Sequence, residues 1–198
     1  MSQQERNDDH LTDESLAYGE LNYEIFATMY EKISRAWGGA ANGMFFDLGC
    51  GVGQLVYTAA MINENKFESC GGIDVIGNLL DRGVKRMLRW DTKVKVSFPN
   101  EVKNTRMLWS NEDIFKSNAW HEATFVFIHW TAFSNKQVVA LSELLRVCKE
   151  GTHVVTITHP ITNINDDFEL LITDECITSW GDADFFVYEK LTTSQTVA

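Results

Sequence analysis

The 198-residue chain is short of positive charge, with 17 Lys and Arg against 28 Asp and Glu and a formal net charge of −11. A surface built to grip DNA or RNA phosphates needs a basic patch, and this balance argues against direct nucleic-acid binding. It is compatible with a basic partner, such as a lysine-rich protein, and equally with plain solubility. Cysteine is sparse: Cys50, Cys70, Cys148 and Cys176 include no CxxC pair, so their spacing suits neither a zinc site nor a small disulfide framework. Cys50 lies in a glycine loop and Cys70 enters an apolar strand pattern, which reads as reduced thiols in a cytoplasmic or nuclear protein. The polar start MSQQERNDDH lacks the apolar core of a signal peptide. No apolar run approaches the roughly 20 residues of a membrane span. Internal repeats, low-complexity stretches and interdomain linkers are missing as well.

What is present is a globular composition, with enough apolar residues for one domain and a sizeable core. Residues 1–16 read as a flexible acidic tail, residues 17–191 as the domain and residues 192–198 as a second tail. Helical spacing of apolar residues runs from Leu21 to about Trp37 and stops at Gly38-Gly39. Strand and helix patterns then alternate: Met44–Leu48, Gln54–Asn63, Cys70–Asp74, Ile76 to about Trp90, and, after a polar connection over 91–104, Thr105–Trp109. Ala123–His129 is a continuous apolar run, the mark of a central strand buried on both faces. Asn135–Lys149 is an amphipathic helix and His153–Thr158 a fifth strand. Phe168–Ile177 and Ala183–Leu191 pair around Gly181-Asp182 as an antiparallel hairpin. This order predicts an open, mostly parallel α/β sheet with an antiparallel C-terminal edge.

The stretch Phe45–Gln54, FFDLGCGVGQ, carries the most information. A buried strand ends in Asp47 and passes through Gly49, Gly51 and Gly53 into an apolar helix, so backbone N–H groups can approach a ligand closely. A dinucleotide fingerprint would need its third glycine at position 54, which is Gln54. The shorter spacing, with Asp47 in front, points to S-adenosylmethionine rather than NAD. Asp74 follows Gly49 by 25 residues at the end of the second strand and is placed to accept ribose hydroxyls, or else to cap the next helix. In Asn111-Glu112-Asp113-Ile114, a carboxylate can accept the adenine amino group with Ile114 beside the ring; taken alone, Asp113 is more often a solvated loop acid or a cap.

Methyl transfer from a sulfonium is an in-line displacement in which the protein mainly aligns the acceptor, so no acid–base dyad or metal cluster is expected. A lysine acceptor must arrive deprotonated, which a desolvating aromatic channel promotes. His129, Trp130 and Phe133, just past the central strand, and Phe185-Phe186 in the hairpin are the candidate walls. His129 reads as a base or as a simply hydrogen-bonded histidine, and the two phenylalanines equally as core.

The segment Ala17–Ile25, AYGELNYEI, followed one helix later by DLGCGVGQ, resembles the disruptor-of-telomeric-silencing family, the non-SET histone lysine methyltransferases. Asp113 then Trp120, VFIHWTAFS and Ser179-Trp180-Gly181 extend the likeness over roughly residues 17–190. The resemblance implies a Rossmann-like class I methyltransferase fold and methylation of a lysine on a protein. By it, Tyr18, Gly19 and Glu20 form a loop over the methionine end of S-adenosylmethionine. Gly49, Gly51, Gly53 and Gln54 lie under its centre, Asp74 on the ribose, and Asp113 with Ile114 at the adenine. The chain departs from the family where the acceptor would enter: His129-Trp130 replaces Asn-Asn, Thr131-Ala132-Phe133 replaces Phe-Ala-Phe, and Phe185-Phe186 replaces a tyrosine pair. Methylation of a small molecule, and cofactor binding by an inactive partner subunit, are the alternatives.

Overall fold

Strands β1 (Gly43–Leu48), β2 (Phe67–Ile73), β3 (Arg106–Ser110), β4 (Phe125–His129), β5 (His153–Ile157), β6 (Phe168–Thr178) and β7 (Gly181–Lys190) join in a single sheet. The computed structural model describes residues 21–36, 42–62, 67–163, 166–178 and 181–192. Tyr18, Gly19, Glu20, Gly38-Gly39, Ser179-Trp180 and both expected tails, save Thr192, lie outside the described residues. The spatial order is β3-β2-β1-β4-β5-β7-β6. The first five strands run parallel, and β7 inserts antiparallel between β5 and β6. The mostly parallel sheet with an antiparallel C-terminal edge is therefore the observed architecture. The chain winds outward from β1 to β3 and then returns to β4 on the other side of β1. That reversal opens a crevice at the carboxyl ends of β1 and β4, where ligands bind in open α/β sheets.

Helices α1 (Tyr23–Ala36), α2 (Gln54–Ile62), α3 (Gly77–Arg89), α4 (Asn100–Asn104) and α5 (Asn135–Leu144) are the α-helices of the described residues, joined by short π and 3-10 turns over 90–97 and 145–147. None of the described helices is long and apolar enough to cross a membrane. On one face of the sheet, Phe26 and Tyr30 of α1 meet a floor of phenylalanines. Phe26 stands edge-on to Phe127 at 5.4 Å and to Phe45 at 5.9 Å between ring centroids, a geometry aromatic quadrupoles favour. Val56, Ala59 and Ala60 of α2 fill the space beside them. The other face is covered by α5 and by loops, with the indoles of Trp120 and Trp130 completely buried. Strand β4 serves both cores, Phe125 and Phe127 facing α1 and Val126 and Ile128 facing α5, as its unbroken apolar run predicts.

Several boundaries differ from expectation for physical reasons. Strand β2 begins at Phe67, three residues early, because Gly71-Gly72 weakens the strand pattern. Both glycines are required: a Cβ would stand 2.5 Å from the Phe46 ring at position 71 and 2.6 Å from Cys50 Sγ at position 72. The polar connection over 91–104 is helical in pieces, since Trp90 and Val102 are buried anchors and Trp90 packs on Tyr57 at 5.5 Å. Strand β5 ends at Ile157, because Thr158 turns to φ +76°. Gly181-Asp182 is not the hairpin turn; both residues pair in the ladder, opposite Thr178 and Ile177.

Candidate cofactor and acceptor site

Strand β1 delivers the glycine loop to the crevice, and the loop is held from below by β2. The Ile73 carbonyl accepts the N–H of both Gly49 (2.9 Å) and Cys50 (3.0 Å). The Asp74 carboxylate accepts the N–H of Gly51 at one oxygen and of Ile76 at the other, both at 2.8 Å. Asp74 thus pins the loop and the entry to α3 together. From the side, Trp109 closes on Gly53: with φ +73°, a Cβ there would overlap the indole at 2.1 Å. A Cβ at Gly83 of α3 would come within 2.9 Å of the Val52 carbonyl oxygen. Gly49 differs, since at φ +86° an added Cβ meets nothing within 4 Å. Clamped elsewhere, the loop is open at Gly49.

Two buried carboxyls, Asp47 and Asp74, lie close to the loop. Asp47 is only 3 % exposed. Burial, and then the neighbouring Asp74 charge, push its carboxyl up to about 8, with no hydrogen bond opposing the rise. Burial also raises Asp74, against the two N–H groups of Ile76 and Gly51 that stabilise its ionised form. Each Asp74 oxygen retains a further lone pair, so ribose hydroxyls can still be accepted. A cation bound beside these carboxyls would draw them back toward the ionised form, so the open loop fits S-adenosylmethionine, which carries a sulfonium and an ammonium. The Cys50 thiol, raised first by burial, stays protonated at neutral pH.

Other expected cofactor residues are engaged differently. Gln54 donates from Nε2 to the Leu21 carbonyl at 3.3 Å, tying the start of α2 to the segment entering α1. Asp113 accepts the Phe115 N–H at 3.0 Å and pairs with Lys116 at 3.1 Å, the behaviour of a turn-forming loop acid. Ile114 is buried against the Trp120 core, and its carbonyl accepts the Trp120 indole N–H at 3.4 Å. Asn111 was not singled out from sequence, yet its Nδ2 donates to the Asp74 carbonyl at 2.8 Å and joins the β3 loop to the site. A short polar residue after a strand is too common a pattern to reveal this.

The carboxyl ends of β4 and β5 form the second side. Trp130 does not line a channel; it is 0 % exposed and its indole donates to the His159 carbonyl at 2.8 Å, so it is a core residue. Phe133 and Phe186 are only partly buried and lie on the α5 face, whereas Phe185 is buried on the α1 face. Alternation along β7 separates the two phenylalanines. Burial lowers the His129 imidazole to about 4, which leaves it neutral and weakly basic at physiological pH. Beside it, Thr131 and Thr158 share a 2.6 Å hydroxyl–hydroxyl hydrogen bond, and the Thr158 N–H reaches the Asp184 carbonyl at 2.7 Å. A β-branched residue at φ +76° is strained, and such strain gathers at functional sites. Nothing in the sequence announces it.

A sheet of this order, with an open glycine loop at its point of reversal, defines a Rossmann-like class I methyltransferase with S-adenosylmethionine as cofactor. Residues 8–177 match the family described as Histone methylation protein DOT1, and the chain belongs to that family. It is a methyltransferase. No curated protein matches it in sequence. Among solved structures, the N-methyltransferase NodS from Bradyrhizobium japonicum WM9 aligns with TM-score 0.62 and 13 % identity, over 86 % of this chain and 97 % of that one. Magnesium protoporphyrin IX methyltransferase from Synechocystis PCC 6803, with S-adenosylhomocysteine bound, gives 0.56 and 11 %, covering 88 % and 90 %. The rRNA methyltransferase AviRa from Streptomyces viridochromogenes gives 0.59 and 12 %, covering 86 % and 85 %. At such identities these likenesses describe the fold.

Proposed function

We propose that the protein transfers a methyl group from S-adenosylmethionine to a lysine side chain of a protein. The observation that carries this reading is membership of the histone-methylation family across residues 8–177. The acceptor side of the crevice supports it chemically. The half-buried rings of Phe133 and Phe186 and the neutral His129 offer surroundings that disfavour an ammonium ion. A lysine entering there loses its proton more readily and presents a free amine to the electrophilic methyl that the cofactor supplies when bound. Asp74 and the glycine loop fix the cofactor's place, while the crevice ends of β4 and β5 orient the amine.

Methylation of a small molecule is the second reading. It is favoured by departures from the family on the acceptor side, His129 for Asn and Phe186 for a tyrosine. Methyl-tritiated S-adenosylmethionine added with the protein to a whole-cell lysate separates the two. Label in a discrete protein band, recovered as methyl-lysine on hydrolysis, is the expected result. Label confined to the small-molecule fraction rejects the lysine reading. No label anywhere, with cofactor binding retained, favours a non-catalytic partner subunit.

A further inference from the structure

Eight of the 17 Lys and Arg residues, but only three of the 28 Asp and Glu, fall between Asp81 and Arg106. That segment carries +5 and the rest of the chain −16, so the acidity of the whole conceals a basic island. Ion pairing divides along the same line. Outside the segment, six of the seven described cations (all but Lys136) pair with carboxylates. Inside it Lys95 reaches Asp91 at 3.8 Å, and Arg82 is also engaged. Lys85, Arg86, Arg89, Lys93, Lys103 and Arg106 pair with no carboxylate among the described residues.

Four of those cations are close in the chain. Lys85, Arg86 and Arg89 project from the exposed side of α3, and Lys93 lies in the turn that continues the helix without a break. Helical spacing puts Val84 and Leu88 along the margin of this basic stripe. Leu88 is 73 % exposed, more than any other large hydrophobic residue described. Cations in a last turn complement the helix dipole, which accounts for Arg86 and Arg89. It does not account for Lys85, or for bare aliphatic side chains beside the charges.

We propose that this face of α3 docks an acidic, leucine-bearing segment of a partner protein. Cations alone would attract any polyanion, but the surrounding −16 charges repel one that extends past the stripe. DNA, RNA and an anionic bilayer all do so beyond the Debye length of about 8 Å at physiological salt. A protein segment presents its carboxylates over a limited footprint and brings apolar side chains to cover Val84 and Leu88. The stripe also offers no exposed aromatic ring for base stacking. Leu79, Leu80 and Gly83, on the opposite side of α3, face the core and the glycine loop, so docking leaves the cofactor cradle undisturbed. The proposal rests on surface chemistry alone, independent of which acceptor is methylated.

The test is fluorescence anisotropy of a labelled synthetic amphipathic peptide of Glu, Leu and Ala, titrated with the full chain. Oligouridine RNA and phosphatidylserine vesicles serve as competing probes. The peptide is expected to bind most tightly of the three at about 0.15 M salt. Arg86→Glu with Arg89→Glu should weaken it by about tenfold or more, and Leu88→Ser by about threefold. Lys85→Glu with Lys93→Glu supplies an independent pair, and retained S-adenosylhomocysteine affinity certifies each variant as folded. Failure of the peptide to bind, equal binding by folded variants, or tighter binding of RNA or vesicles would each overturn the proposal.

Discussion

At the carboxyl ends of β1 and β2 the site is made of main chain, whereas at the carboxyl ends of β4 and β5 it is made of side chains. On the first side, the N–H groups of Gly49, Cys50 and Gly51 are anchored by the Ile73 carbonyl and the Asp74 carboxylate, and missing Cβ atoms let Trp109 and α3 close in. On the second, bulky residues separate according to face and depth. Trp130 is sealed in the core, Phe133 and Phe186 are partly exposed, and Thr158 is strained into a hydrogen bond with Thr131. A rigid main-chain frame suits a cofactor, whose shape does not change. Side-chain recognition can be rebuilt around a different acceptor without disturbing the loop.

The sharpest break in this comparison lies within the second side itself. Trp130→Ala should destabilise the fold by about 3–5 kcal/mol, the usual loss for a buried indole. It also removes one of the two side-chain donors, with Thr156 the other, to the His159 carbonyl. Phe133→Ala, at a partly exposed ring, should cost under about 1.5 kcal/mol and lower turnover while leaving cofactor affinity intact. Urea denaturation and methyl-transfer rates check both. Equal stability losses would erase the distinction between core and rim.

Next comes a contrast within the first side. Gly49→Ala and Gly53→Ala both force alanine into the left-handed region, a loss of about 1–2 kcal/mol. Only at Gly53 does the new Cβ meet the Trp109 indole, adding about 1–3 kcal/mol of overpacking. Trp109→Ala should recover part of that second loss in the Gly53 variant but none in the Gly49 variant. Without such recovery, the indole is not what requires glycine at 53.

The last contrast is a pH slope. The unfolded Asp47 carboxyl titrates near 3.9, whereas in the fold it is held up to about 8. Between these values the native chain keeps a proton that the unfolded chain has lost. The stability this group contributes is therefore complete below about pH 4 and declines as pH rises through 8, by at most about 1.4 kcal/mol per pH unit. Asp47→Asn should remove that slope, so the variant gains on the wild type from pH 5 to pH 8. A gap independent of pH would mean that Asp47 is ionised in the fold. Asp74→Asn should lower the Asp47 pKa, since the Asp74 charge is the second cause of its rise.

Legibility in the sequence follows the same division. The glycine loop could be read because its conformation lies in spacing and in the absence of side chains, both written locally. Strand β4 was visible for a similar reason, as an apolar run buried on both faces has no other period. The Trp130 position misled, because an aromatic residue past a strand end looks the same whether it turns to the crevice or inward. Inward placement depends on the His159 carbonyl, 29 residues away. Asp113 and Ile114 resisted for the opposite reason: short-range partners, Lys116 and Trp120, absorb them locally.

By itself, then, the sequence determined the alternation of strands and helices, the antiparallel C-terminal pair, and the loop of Gly49, Gly51 and Gly53. Each is set by hydrophobic period or backbone freedom within a few residues. Only the tertiary structure decided that Asp74 clamps the loop, that Trp109 demands glycine at 53, that Trp130 is core, and that Thr158 is strained. Those properties belong to pairs of residues far apart in the chain, which close packing brings together once the sheet has formed.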